Sequence, residues 1–108
     1  MAYDEVLAER VRELLEESDE VVAQKMFGGL VFMVRGNTAV GVVGDELLVR
    51  VAPDDTSQAL AQPGARHFEV RGRISKGWVV VAGEVLDDHV LDYWLQLGRK
   101  AAAALSPK

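Results

Sequence analysis

Three stretches of this chain hold residue types that could do chemistry, and each also has a purely structural reading. In GRISKGW, residues 72–78, Arg73 and Lys76 fall in a predicted hairpin connection and are followed by Gly77 and Trp78. Two cations beside an indole could hold an anion, a nucleobase or an acidic partner surface, using charge plus a stacking or cation–π platform. The structural reading is a turn with solvated cations and a Trp whose ring fills the core beneath a helix. Arg50, inside LLVRV, is the second point of interest. An Arg between apolar strand residues pairs with an acid, edges a sheet or marks a binding face.

The third stretch is KMFGGLVFMVRGN, residues 25–37. A phosphate-binding loop needs glycines ahead of a helix N-terminus, usually with a Lys-Ser/Thr pair. Here Gly28 and Gly29 lead into strand-like LVFMVR, and no such pair follows. The glycines are read instead as structural: a side chain would collide with packed neighbours, or one position needs φ > 0. Met26 and Phe27 then act as core plugs.

The remaining inventory for catalysis is poor. Ser57 and Ser75 lack the G-x-S-x-G frame, and neither lies beside a histidine. His67 and His89 are the only imidazoles, and no H-E-x-x-H or comparable metal spacing surrounds them. Both read as surface residues of a strand and of a helix start. No catalytic residue, metal or cofactor is expected.

The elements that must position these residues follow from periodicity and turn chemistry. Tyr3, Leu7, Val11, Leu14 and Leu15 form one helical stripe, predicting an amphipathic helix that ends near Ser18-Asp19. LVFMVR (30–35), TAVGVV (38–43) and ELLVRV (46–51) read as strands, separated by the hairpin signals Gly36-Asn37 and Gly44-Asp45. Gly41, inside the second run, suggests a close approach or a bulge. Pro53 stops the third run because it cannot donate a ladder hydrogen bond. Asp54, Asp55 or Thr56 can cap a short helix through Ala61.

Past Pro63-Gly64, HFEVR (67–71) and GWVVVA (77–82) give two more strands joined by GRISK. A last helix starts near the capping acids Asp87 and Asp88. It shows one face of Leu91, Trp94, Leu95, Ala102 and Leu105, with Gly98 as an internal weak point. Strands grouped in this α-β-β-β-α-β-β-α order predict an α+β fold, an antiparallel sheet with its helices mainly on one face.

With 108 residues the chain is one domain, 1–108, long enough for a core without disulfide or metal. It has no cysteine, which removes disulfides, thiolate nucleophiles and Cys-ligated zinc, and is compatible with a reducing cytoplasm. The acidic N-terminus is not a signal peptide, and no apolar run approaches a membrane span of about 20 residues. Net charge is −5, with eight acids in residues 1–20 and a basic cluster of Arg66, Arg71, Arg73 and Lys76. The acidic half reads as a solvated helix face. Overall acidity argues against non-specific nucleic-acid binding, and helices without Arg/Lys/Asn/Gln along one side argue against sequence-specific DNA binding.

KMFGGLVFMVRG, LLVRV, the GR-x-x-KGW segment and a final helix with DYWL resemble the TfoX N-terminal domain family, in order, over nearly the whole chain. The resemblance implies an α+β, secretion-chaperone-like fold with an α-β3-α-β2-α order. Met26, Phe27, Gly28, Gly29, Arg50, Arg73, Lys76, Gly77 and Trp78 are its recurrent positions. Named members are bacterial competence regulators in which a helical second domain follows. No second domain is expected after Lys108, so the resemblance is to stand-alone members. It implies no catalytic residue.

The leading expectation is a non-enzymatic cytoplasmic regulatory or adaptor domain acting through an unidentified protein partner. Homodimerisation is part of that expectation, since a sheet with helices on one face leaves its other face or an edge to cover. The alternative is a module that binds a small anionic ligand or nucleic acid through Arg50, Arg73, Lys76 and Trp78.

Overall fold

A computed structural model describes residues 3–15, 21–26 and 28–105. The order is α1 (Glu5–Leu15), β1 (Val21–Met26), β2 (Gly29–Val34), β3 (Asn37–Val43), β4 (Glu46–Arg50), α2 (Thr56–Leu60), β5 (Ala65–Val70), β6 (Arg73–Val81) and α3 (Asp88–Ala103). Short 3₁₀ turns at Pro53–Asp55 and Gly83–Val85 precede α2 and α3. The strands form one antiparallel sheet in the order β1-β2-β3-β4-β6-β5. The predicted α+β order is present, with β1 as an additional edge strand ahead of it. No helix among the described residues is long and apolar enough to cross a membrane.

Tight turns set the register. Val34 pairs with Asn37, so the β2–β3 loop is Arg35-Gly36, one residue earlier than Gly36-Asn37. Both loop residues have positive φ, 54° and 83°, as a type I′ hairpin requires. Val43 pairs with Glu46 around the predicted Gly44-Asp45 loop, in which Gly44 has φ 59°. The β5–β6 turn is Arg71-Gly72, again with both φ positive, and Val70 pairs with Arg73. Strand β6 therefore begins at Arg73. Arg73 and Lys76 belong to strand β6, not to a hairpin connection. The Gly-plus-cation composition of GRISK hid a strand whose ladder is made by backbone.

The main core lies between the sheet and all three helices. Leu7, Val11 and Leu15 of α1, Ala59 of α2, and Leu91, Trp94 and Leu95 of α3 pack on Leu30, Phe32, Val40, Val42, Leu47, Val49, Val79 and Val81. Alternation then sends Val22, Val31, Val43, Leu48 and Val80 to the opposite face, where no helix among the described residues packs. Leu14 and Leu105 depart from the predicted stripes and are exposed, because Ala8 takes the inward position in α1 and α3 ends at Ala103. The predicted end of the first helix at Ser18-Asp19 lies outside the described residues.

The caps are partly those predicted. Asp87 accepts from the amide of Val90 at 2.8 Å and starts α3. Asp4, overlooked as a cap, accepts from Val6 and Leu7 at 2.9 and 3.1 Å and starts α1. Neither Asp55 nor Thr56 caps α2. The Asp55 carboxylate reaches Lys100 of α3 at 3.1 Å, and the Thr56 hydroxyl donates to the Ala52 carbonyl at 3.1 Å. Gly41 is a close approach, since a Cβ there would sit 3.1 Å from Cγ1 of Val31. The neighbouring bulge falls one turn of the ladder away, between Phe32 and Met33 on β2, with Ala39 the extra residue on β3.

Candidate functional site

Strand pairing brings two of the singled-out residues together. The β4–β6 register sets Arg50 directly opposite Trp78. The Arg50 guanidinium carbon lies 4.4 Å from the Trp78 ring centroid, within cation–π range. Its Nε donates to the Thr38 carbonyl on β3 at 2.6 Å, fixing the plane of the group. Burial pushes the Arg50 pKa below the ordinary arginine value, yet arginine stays cationic in proteins. Gly77 precedes Trp78 with φ 85°, a conformation that favours glycine, and its carbonyl accepts from the amide of Val51 at 2.8 Å.

Beside the stack is a cavity of about 510 Å³. Arg50, Lys76 and Trp78 line it together with Val51, Ala101 and Leu105. Three of the four candidate binding residues therefore converge. Arg73 does not line the cavity: it stands next to the Arg71-Gly72 turn, exposed. Trp78 does not fill the core beneath a helix either. That place belongs to Trp94, which is fully buried. The contributions of the Thr38 carbonyl and of the last turn of α3 carry no sequence signal, because a backbone acceptor and alanines look the same wherever they fall.

A second feature lies across the helix-free face. Arg66 of β5 and Glu46 of β4 form a fork, with Nη1 to Oε2 at 2.5 Å and Nη2 to Oε1 at 2.8 Å. The hydrogen bond from Arg66, with its charge, holds the Glu46 carboxyl below its ordinary pKa against an opposing desolvation effect. The same hydrogen bond raises Arg66. The pair borders a groove of about 450 Å³ lined also by Val43, Leu48, Phe68 and Val80.

The glycine pair opens a strand. Met26 pairs with Gly29 around a loop of Phe27 and Gly28, and Gly28 has φ 73°. A Cβ at Gly28 would meet nothing within 4 Å, whereas one at Gly29 would fall 2.3 Å from the Val42 carbonyl oxygen. One glycine is there for its dihedral and the other for its size. Met26 is half-buried on the edge strand β1. Phe27, read as a core plug, lies outside the described residues.

His67 on β5 lines both the Arg50 cavity and the groove, while His89 in the first turn of α3 lines other cavities. Among the described residues no three His, Cys, Asp or Glu side chains group as metal ligands would.

Together these features define a small α+β domain with helices on one side of an antiparallel sheet and a stacked Arg–Trp pair at the end of two central strands. The chain belongs to the TfoX N-terminal domain family, whose model matches residues 13–103, from within α1 to the end of α3. That makes it a competence-regulator-like domain. Comparisons with curated proteins and with solved structures return no match.

Proposed function

We propose that this is a non-enzymatic cytoplasmic regulatory or adaptor domain that works through protein contacts, made by the helix-free face of its sheet. The observation that carries the reading is that face: Val22 and Val43 are 58% and 37% exposed there, over buried Val31, Leu48 and Val80. Exposed valines beside buried apolar side chains on a sheet face gain by burial, at roughly 25 cal/mol per Å² removed from water. A second copy of the chain suits it. A two-fold interface must be self-complementary, and this face offers apolar surface beside an acid, Glu46, and a base, Arg66. The separation of His67 and His89 onto different cavities supports a binding rather than a catalytic role. Sedimentation velocity at micromolar concentration tests the reading. A dimer is expected, and a monomer at every concentration would remove this use of the face.

A second reading, binding of a small anion or nucleic acid, is favoured by the meeting of Arg50, Lys76 and Trp78 at one cavity.

A further inference from the structure

The cavity beside Arg50 specifies its ligand more narrowly than the word anion does. Arg50 is anchored through Nε to Thr38 and lies against Trp78, so its two Nη groups form the one edge left for a ligand. Among the described residues no carboxylate pairs with it. Asp55 is engaged by Lys100 and Glu46 by Arg66. A half-buried guanidinium with no counter-charge among the described residues offers a planar two-donor fork, the geometry that matches a carboxylate. The rest of the lining is largely apolar: Val51, Pro53, Ala101, Ala104 and Leu105. Lys76 is exposed and lines the same space.

Charge counting then limits the ligand. Arg50, the fixed and partly desolvated cation, balances one negative charge inside the cavity. Lys76 is exposed, so a second negative charge would meet it only in water and not in the apolar interior. Volume matters too. About 510 Å³ lies within the range of small-molecule sites, too roomy for a bare anion and lined to receive an apolar body.

We propose that this cavity binds an organic monoanion, a free carboxylic acid with an aliphatic or aryl body. The carboxylate sits on the Nη edge of Arg50, the body lies against Val51, Ala101 and Leu105, and the Lys76 ammonium adds attraction from the solvent side. The inference rests on the second reading above. It gives the domain a ligand input distinct from the Val43–Arg66 groove, which Arg50 and Lys76 do not line.

Calorimetric and Trp-fluorescence titrations with octanoate, octanol, octyl phosphate and a short oligonucleotide test it on the whole chain. Octanoate is expected to bind at least about tenfold tighter than octanol, with affinity falling as salt is added. Arg50→Lys should lose about tenfold or more although it keeps the charge, since a lysine has neither the fork nor the flat face that stacks. Lys76→Ala, at an exposed position that leaves folding alone, should lose a few-fold. Equal binding of octanol and octanoate overturns the proposal, as does unchanged octanoate affinity in a folded Arg50→Lys protein. Binding of octyl phosphate or the oligonucleotide without octanoate overturns the carboxylate assignment and leaves the anion reading standing. If no anion binds, both fall.

Discussion

Gly98 of α3 lies against the carbonyl oxygen of Ala39 in β3: a Cβ at position 98 would fall 2.7 Å from that oxygen and 2.6 Å from Cγ1 of Val40. The helix rests on the sheet at this point, and the missing side chain sets how closely. Helix propensity alone makes Gly98→Ala stabilising by about 1 kcal/mol. Overpacking against a backbone oxygen, which cannot rotate away, costs about 1–3 kcal/mol and more where nothing yields. The net expectation is destabilisation by about 1–2 kcal/mol, read as a lower urea midpoint at unchanged m. A more stable variant would mean that α3 stands off the sheet.

The two glycines before β2 should separate in the same assay. Gly28→Ala meets open space and bears only the left-handed conformation, about 1 kcal/mol. Gly28→Asn should recover much of that, since Asn tolerates this region. Gly29→Ala forces a carbon against the Val42 carbonyl and should cost more than either, by shifting β2 relative to β3. Equal costs at both positions would contradict the division of labour between dihedral and size.

The Glu46–Arg66 fork makes a pH-dependent contribution. Glu46 has its pKa lowered in the folded chain, so its stabilisation is fully present above the unfolded value of about 4.3 and is lost as pH falls through the folded value. Arg66 is raised, which places its part of the linkage in strong alkali, away from the acid window. The fork is largely exposed, so Glu46→Gln should cost only about 0.5 kcal/mol at neutral pH. Urea midpoints of the two proteins should converge as pH falls from the unfolded value through the lowered folded one. A gap that widens on acidification would show that the acid is not stabilised by its partner.

Much of this fold can be read from turn chemistry, and the errors have physical causes. Gly44-Asp45 marked its hairpin because the residue with positive φ is a glycine. Arg35-Gly36 and Arg71-Gly72 each put an arginine in the left-handed region, which propensity does not anticipate, so the sequence places one turn a residue late and reads the first half of β6 as a connection. Strand β1, VVAQKM, has only its Val21 and Ala23 side turned to the core, and an edge strand with one apolar face gives a weak signal over six residues. Gly98 read as a weak point because sequence shows the propensity loss and hides the neighbour. For the site, residue types picked out Arg50, Lys76 and Trp78. Their convergence depends on β4 pairing with β6 rather than with β5, a non-local register that no local pattern encodes.

The helix-free face can be tested by charge without disturbing the core. Val22 and Val43 point away from the helices and are exposed, so lysine at either removes no buried methyl from the main cluster. Val43 pairs with Glu46, and an ammonium opposite that carboxylate is a favourable cross-strand neighbour. The Val22→Lys/Val43→Lys protein should therefore unfold within about 0.5 kcal/mol of the parent, as surface changes usually do. Two copies facing each other across this surface would bring four new ammonium groups into an apolar contact, where unpaired charge is costly. Sedimentation should then show the dimer dissociation constant raised by about tenfold or more, with octanoate binding at Arg50 unchanged. A dimer that survives the double substitution must use another surface. The edge strand β1 would then be the place to look, because no strand among the described residues lies beside its outer backbone groups.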